Sequence, residues 1–518
     1  MIMHIGKRFR NVKIHTGREN LMATDKKIDH TVFHISLLLT GGIALWAVLF
    51  NESFTVVSNA IYTFLTQKFG WLYLMAMLFF VFFILLIAFS KWGRIRLGPD
   101  DSRPEYSTVS WFAMLFGAGM GVGLVFWGIS EPISHYIAPM AGIAPGTPEA
   151  ADFAMKASFV HWGIHPWANY SIIGLALAYF QFRRGTPGLI SAVLEPVIGK
   201  HKQWLKHLVD IMAVFATVAG VVTSLGLGVL QINSGLNYLF GIPTNLIIQI
   251  IIIAVISVIY IWSAVSGIEK GIKLISDANL YIAFALMGAA VLVGPKLEMI
   301  NSFTNTMGNY LNDFVRDSLG LSTYGDNSWV ESWRVFYWAW WIAWAPFVGI
   351  FIARISRGRT IREFIAGVVA APSLGSLVWF AIFGTMGIHL GENNVLSADV
   401  LQEVAAKPEV GLFVVMQEYP FATVLCVVAL VLLCTFFITS ANSGTFVLSM
   451  LTSHGELNPP NNKKVLWGIV QSVMAVGLLI AGGLKPLQII SIAAAFPFIF
   501  IMLATCVSLV KVLKEEKL

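Results

Sequence analysis

Charge is what this chain has least of. Of its 518 residues, 12% are Asp, Glu, Lys or Arg and 57% are apolar. A soluble surface of this size cannot be built from so few charges, and the apolar runs reach the ~18 residues or more that a helix needs to cross about 30 Å of hydrocarbon. The chain therefore reads as an all-α polytopic membrane protein. Cysteine is nearly absent, and Cys426, Cys434 and Cys506 all lie in apolar segments, which excludes a disulfide framework and a metal-ligand spacing. The N-terminus lacks a short apolar stretch with a cleavage site, so no removable signal peptide is expected. Carboxylates are missing from the span centres, with Asp277 near the start of the seventh span as the debatable case. Proton relays usually depend on such groups, so sodium coupling fits better than proton coupling. The net charge of +6 sits in loops and is read as membrane topology, with no nucleic-acid partner.

Twelve spans are expected, centred near residues 41, 80, 118, 169, 219, 254, 284, 344, 376, 432, 473 and 498. Residues 1 to 30 carry seven Lys/Arg, Lys91 to Arg103 carries four, and Arg354, Arg357, Arg359 and Arg362 crowd one short loop. Residues 131 to 153, read as an intervening loop, carry none. By the positive-inside rule both termini are cytoplasmic in the cell membrane. The expected organisation is a cytoplasmic segment 1–30, a domain of twelve spans 31–510 and a short mixed-charge cytoplasmic tail 511–518. The basic N-terminal segment either touches anionic lipid or serves as a solvated topology signal. Residues 301 to 331 are polar and aromatic and are open to reading as a surface helix.

What the chain has in excess is tryptophan. Six of its seventeen, Trp329, Trp333, Trp338, Trp340, Trp341 and Trp344, fall within sixteen residues. Membrane tryptophans normally collect at the interfaces, yet Trp340, Trp341 and Trp344 sit near the middle of an apolar segment. At about 100° per residue, Phe336, Trp340, Trp341, Trp344 and Phe347 share an arc of roughly 140°, while Trp338 faces away. A desolvated cation gains about 2 kcal/mol from an aromatic face, and a quaternary ammonium suits such a wall; packing between helices is the bland alternative. The fourth span repeats the pattern, with Trp162, Trp167 and Tyr170 projecting into a second arc. His161 and His165, four residues apart, could meet on a metal, and a membrane-embedded metalloenzyme would use them so. No third ligand is evident, and bonding to neighbouring loops or backbone is the competing reading.

The third span contains Gly117, Gly119, Gly121 and Gly123 at alternate positions. Each interior glycine costs about 1 kcal/mol relative to alanine, so the run invites unwinding that exposes amides and carbonyls, as in the discontinuous helices of transporters. Close packing through two GxxxG pairs is the alternative. The tenth span ends in Phe436-Phe-Ile-Thr-Ser-Ala-Asn-Ser443. Thr439 and Ser440 either bond back to their own helix or join an uncharged oxygen shell for a hard cation such as sodium. Thr217, Thr223 and Ser224 form a similar patch in the fifth span.

With both aromatic helices, the glycine run and the hydroxyl pair, the chain resembles the betaine/choline/carnitine transporter family over nearly its whole length. The most specific elements are Phe336-Tyr-Trp-Ala-Trp-Trp-Ile-Ala-Trp-Ala-Pro-Phe347 and Ile352-Ala-Arg-Ile-Ser-Arg-Gly-Arg-Thr-Ile-Arg362. The resemblance implies a leucine-transporter-like architecture: two leading helices, then inverted five-helix repeats in spans 3–7 and 8–12, assembled as a homotrimer in membrane lipid. It implies a substrate site at Trp162, Trp167, Tyr170, Trp340, Trp341 and Trp344, with Trp344 as the first choice for the cation ring. Amides of Gly119, Gly121 and Gly123 would receive the substrate's carboxylate. It implies one sodium site at Gly117, Met120, Phe436, Thr439 and Ser440. A second would fall at Thr217 and Phe347, but Val221 stands where relatives carry a second hydroxyl. Sodium as coupling ion, with no further cofactor, follows from the same resemblance. Similar choline carriers have Asp where this chain has Gly123, so the resemblance favours glycine betaine or a related zwitterion, taken up in osmoprotection. Choline, carnitine and ectoine-type substrates, moved by proton coupling or without sodium, are the alternatives.

Overall fold

The computed structural model describes residues 30–517 except 120, 267 and 268. The segment 1–29 and Met120, one of the expected sodium ligands, thus lie outside the described residues, and of Gly119 only the backbone is described. Among the described residues the chain is helical throughout and has no strand; an isolated antiparallel bridge joins Arg96 to Thr360.

The long helices are α1 (Thr31–Leu49), α2 (Asn51–Phe89), α3 (Thr108–Gly119), α4 (Val122–Ile137), α5 (Pro148–Trp162), α6 (Ile164–Ala178) and α7 (Gln203–Phe240). They continue with α8 (Leu246–Ser266), α9 (Glu269–Val293), α10 (Val335–Arg354), α11 (Ile361–Glu392), α12 (Ala422–Leu451), α13 (Asn461–Ile480) and α14 (Leu484–Leu513). Each of the twelve expected centres falls inside one of them. Among the described residues ten helices are long and apolar enough to cross a membrane, or eleven when α3 and α4 count as one span bent by 63°. The polar segment before the tryptophan-rich helix forms Lys296–Asn312 and Phe314–Leu319.

Breaks occur where sequence and packing require them. At the glycine run α3 ends at Gly119, and α4 restarts from Gly121 in an extended conformation. At Gly163 the fourth apolar segment divides into α5 and α6 of 15 residues each, which corrects the expectation of one straight helix carrying Trp162, Trp167 and Tyr170. A Cβ at Gly163 would fall 2.6 Å from the Phe159 carbonyl oxygen and 2.7 Å from the Tyr310 hydroxyl. The freed backbone groups are satisfied from outside the helix: Ile164 N–H donates to Tyr310 Oη at 3.0 Å, and Ser373 Oγ donates to the Gly163 carbonyl at 2.9 Å. Helix α11 begins with a reciprocal cap, in which Thr360 Oγ1 accepts from Glu363 N–H and the Glu363 carboxylate accepts from Thr360 N–H.

Two helices are central. In their most apolar windows α7 is 89% buried and the tryptophan-rich helix 83%, against 22% for α8 and α9. The aromatic segment thus packs inside the bundle, with α10 against α6, α7 and α14. The last turn is also held. Arg183 donates from Nε and Nη2 to the two oxygens of Glu516 at 2.8 and 2.7 Å and from Nη1 to Asp100 at 2.7 Å, while Arg184 donates to Glu515 at 2.7 Å. The hydrogen bonds from Arg183 hold the Glu516 carboxyl below its ordinary range.

Candidate substrate cavity

A cavity of about 60 Å³ lies where α4, α6 and α10 meet, several times the ~10–15 Å³ that one water needs. Its lining includes Trp162, Trp167, Tyr170, Trp340, Trp341, Trp344, Gly121 and Gly123. Every residue expected at the substrate site therefore reaches one space, apart from Gly119, whose surroundings are not described.

The aromatic wall is built from two directions. Trp340 and Trp341 stack at 4.8 Å, and Trp162 meets Trp341 edge-on at 4.9 Å. Trp167 and Tyr170 stand edge to face at 5.4 Å, and Tyr170 reaches Trp341 at 6.4 Å. The rings are fixed from behind. Trp341 Nε1 donates to the His161 carbonyl at 2.9 Å, Trp344 Nε1 to the Gly220 carbonyl at 2.7 Å and Trp162 Nε1 to Glu131 Oε2 at 2.8 Å. With their N–H groups tied to the scaffold, three indoles present carbon faces and edges to the cavity. Gly220 has no room for a side chain, since a Cβ there would lie 2.5 Å from Trp344 Cδ1. Trp338 stacks on His165 at 4.6 Å and stays out of the lining. Phe336 stacks behind Trp340 and Phe347 stands edge-on to Trp344, so the two phenylalanines of the expected aromatic arc stay out of the lining.

The start of α4 lines the cavity beside these rings. The first intrahelical bonds there come from Leu124 and Val125 N–H to the Gly121 carbonyl, so the amides of Val122 and Gly123 precede the ladder. Both residues line the cavity, and a helix N-terminus carries partial positive charge suited to a carboxylate. A Cβ at Gly123 would sit 2.9 Å from Trp340 and 3.1 Å from Trp162. The close approach of backbone to both indoles thus depends on glycine.

Ser440 lines the same cavity and makes no hydrogen bond to the described residues. Thr439 donates back to the carbonyls of Thr435 and Phe436 at 3.0 and 3.2 Å and accepts from Asn279 Nδ2 at 3.3 Å. A hydroxyl that donates its proton keeps two lone pairs, so back-bonding leaves Thr439 one pair for a cation even with Asn279 in place. Phe436 is buried on α12, and a Cβ on Gly117 would meet nothing within 4 Å. Thr217 is bound to its own helix through the Ala213 carbonyl, and Val221 is buried beside Gly444. Thr223 bonds to Leu487 and Ser491. Of the fifth-span patch, Ser224 alone reaches the cavity.

Two readings from sequence need correction. Glu131, placed in a loop, lies inside α4 and is fully buried, so the spans do hold a carboxylate. The helix continues through Pro132 to Ile137. His161 and His165 do not converge: His161 Nδ1 lies 2.6 Å from Glu131 Oε1, while His165 Nε2 meets Ser318 Oγ at 2.8 Å. The groups brought beside His161 are Glu131 and His135, within 4.8 Å of one another. Sequence reasoning also missed Pro166, Val348 and Ser376 in the cavity lining.

Comparison with known proteins identifies relatives along nearly the whole chain. The chain is 47% identical over 490 residues to the glycine betaine transporter OpuD of Bacillus subtilis (strain 168), covering 94% of this chain and 95% of that protein. It is 44% identical to a probable glycine betaine transporter of Desulfitobacterium hafniense (strain Y51), covering 96% and 99%. An ectoine/hydroxyectoine transporter of Virgibacillus pantothenticus is 40% identical over 95% of this chain and 98% of its own. The model of the betaine/carnitine/choline family transporters matches residues 31–518. This multi-pass membrane protein, a solute transporter rather than an enzyme, belongs to the betaine/carnitine/choline transporter family.

Proposed function

We propose that the protein imports glycine betaine, or a closely related zwitterion, by sodium-driven symport with alternating access around the tryptophan cavity. The observation that carries the reading is the pairing of opposite chemistries in one space. Trp162, Trp340, Trp341 and Trp344 and the first residues of α4 line the same cavity, which matches a desolvated trimethylammonium joined to a carboxylate. Trp344 is the principal cation ring, and Trp340 and Trp341 share the site.

In this reading sodium binds between the glycine segment, Gly117 and Met120, and Phe436, Thr439 and Ser440, where uncharged oxygens suit a hard cation. Thr217 and Phe347 would hold a second ion, but Val221 supplies no oxygen, which favours a single sodium per cycle. The buried Glu131 removes the argument from missing carboxylates, so sodium coupling rests on the hydroxyl pair and the unwound glycines. Spans 3–7 and 8–12 act as inverted repeats, with α3 and α4 as one span and α5 and α6 as another. The protein works as a homotrimer in the cell membrane, with both termini in the cytoplasm. Ectoine is the second substrate to test, because a relative named for ectoine and hydroxyectoine is 40% identical to this chain.

The test is uptake of labelled glycine betaine into proteoliposomes with sodium and proton gradients imposed separately. Accumulation driven by inward sodium alone is expected. Uptake indifferent to sodium would overturn the coupling, and accumulation of ectoine without betaine would overturn the substrate.

A further inference from the structure

Glu131 is 0% exposed and sits on α4 behind the cavity wall, nine residues beyond the helix start, or about 13 Å along the axis at 1.5 Å per residue. Four groups surround its two oxygens. Oε1 lies 2.6 Å from His161 Nδ1 and 3.4 Å from His135 Nε2, and Oε2 accepts from Trp162 Nε1 at 2.8 Å and Tyr337 Oη at 2.5 Å.

The partners behind the histidines fix where their protons lie. Indole N–H only donates, and Trp329 Nε1 donates to His135 Nδ1 at 3.3 Å, so His135 carries its proton on Nε2, toward Glu131. Guanidinium also only donates, and Arg334 Nε faces His161 Nε2 at 3.5 Å, so His161 carries its proton on Nδ1, again toward Glu131. Glu131 is the acceptor for the Tyr337 phenol proton. All four neighbours are thus donors, matching the four lone-pair sites of an ionised carboxylate. With both histidine protons directed at Glu131, the trio acts as a carboxylate cradle. Arg334, buried on the turn that leads into α10, supplies the compensating charge.

Of four of the cavity's indoles, Trp162 donates to a formal negative charge, Trp341 and Trp344 donate to neutral carbonyls, and Trp340 Nε1 has no partner among the described residues. An N–H bonded to a carboxylate in a dry interior is strongly polarised, and electron density is pushed back into the ring. We propose that Glu131 is a positioning residue of the cation cage: through the Trp162 N–H it holds that indole edge-on to Trp341 and enriches its π face, so that the site prefers a quaternary ammonium over a neutral group of the same shape. This rests on the cavity being the betaine site.

The experiment compares glycine betaine with tert-butylacetate, its isostere without the positive charge, as ligands of the full-length protein in proteoliposomes. In Glu131→Gln the preference for betaine should fall about tenfold, part of the roughly 30-fold that one desolvated cation–π contact is worth, while the constant for tert-butylacetate stays put. In a Trp162→Phe background, which has no N–H to polarise, Glu131→Gln should add nothing further. Equal weakening of both ligands, an unchanged preference, or an undiminished effect in Trp162→Phe would each overturn the proposal. Where Glu131→Gln does not accumulate, Trp162→Phe is set against Trp341→Phe. The first must reduce the preference more, since it alone breaks a bond to a charge, and equal losses reject the role of Glu131. Native protein with no preference for betaine over the isostere would instead count against the substrate reading.

Discussion

The tryptophan wall and the hydroxyl pair Thr439 and Ser440, of which Ser440 lines the same cavity, are held in opposite ways. Trp162, Trp341 and Trp344 are tied by their N–H groups to acceptors outside the cavity, so their faces are fixed before any ligand arrives. Ser440 is bonded to none of the described residues, and Thr439 is bonded into its own helix, with Asn279 as its one neighbour from another. Preorganised contacts cost little ordering on binding, whereas groups free to rotate can change partners during a cycle. The difference assigns tight, shape-specific recognition to the aromatic side and the adjustable, state-dependent contacts to the oxygen side.

The largest test of this contrast is Trp344→Leu. Loss of a principal cation ring, about 2 kcal/mol, should raise the apparent constant for glycine betaine about 30-fold, with normal elution of the purified protein on gel filtration; an unchanged constant would remove Trp344 from the cage. Gly123→Ala comes next. Its methyl group must displace Trp340 and Trp162, and overpacking of this kind costs about 1–3 kcal/mol, so betaine binding measured by calorimetry should weaken roughly tenfold. Ser440→Ala and Thr439→Ala should shift the sodium dependence of uptake severalfold, by about 1 kcal/mol for one lost oxygen contact, while betaine affinity at saturating sodium stays within about twofold. A larger change in substrate affinity than in sodium dependence would reverse the assignment of the two sides. The smallest transport effect is expected from Trp338→Phe. That ring packs on His165 outside the cavity, so thermal stability should drop by about 1–3 kcal/mol with uptake nearly unchanged.

The aromatic half of the site was legible because its composition is extreme: no ordinary packing pattern places Trp340, Trp341 and Trp344 in one apolar run opposite Trp162 and Trp167. The glycine run was legible for the same reason, as alternate glycines are costly in a straight helix. Ser376 was invisible as a lining residue, and nothing in the fifth-span patch marked Ser224 as its one member that reaches the cavity. A single hydroxyl in an apolar helix looks the same in sequence whether it faces a cavity or its own backbone. Glu131 misled for a sharper reason. In Ser130-Glu-Pro-Ile-Ser-His135 a charge and a proline together mimic the end of a span, yet the helix carries Pro132 within it and the charge is absorbed by donors from α5 and α10. Those donors come from residues about 30 and 206 positions away, a distance no local pattern encodes. The division of the fourth segment had a local signal, since Pro166 lies in the first turn after Gly163 and cannot bond back to residue 162, but the contact with Tyr310 at the break was hidden.

The clasp between Arg183 and Glu516 also has a bearing on how the chain is made. The two residues are 333 positions apart, so a ribosome delivers Arg183 well before its bidentate partner exists. Helices α7 to α14 must be inserted and packed while that guanidinium has only nearer acceptors such as Asp100. Glu516 follows only once α14 has been made, and its bond ties the end of α14 to the turn after α6. A variant without that carboxylate could hold every cavity residue and still lack this fastening, so its defect would show first in the yield and lifetime of the assembled protein and only later in transport.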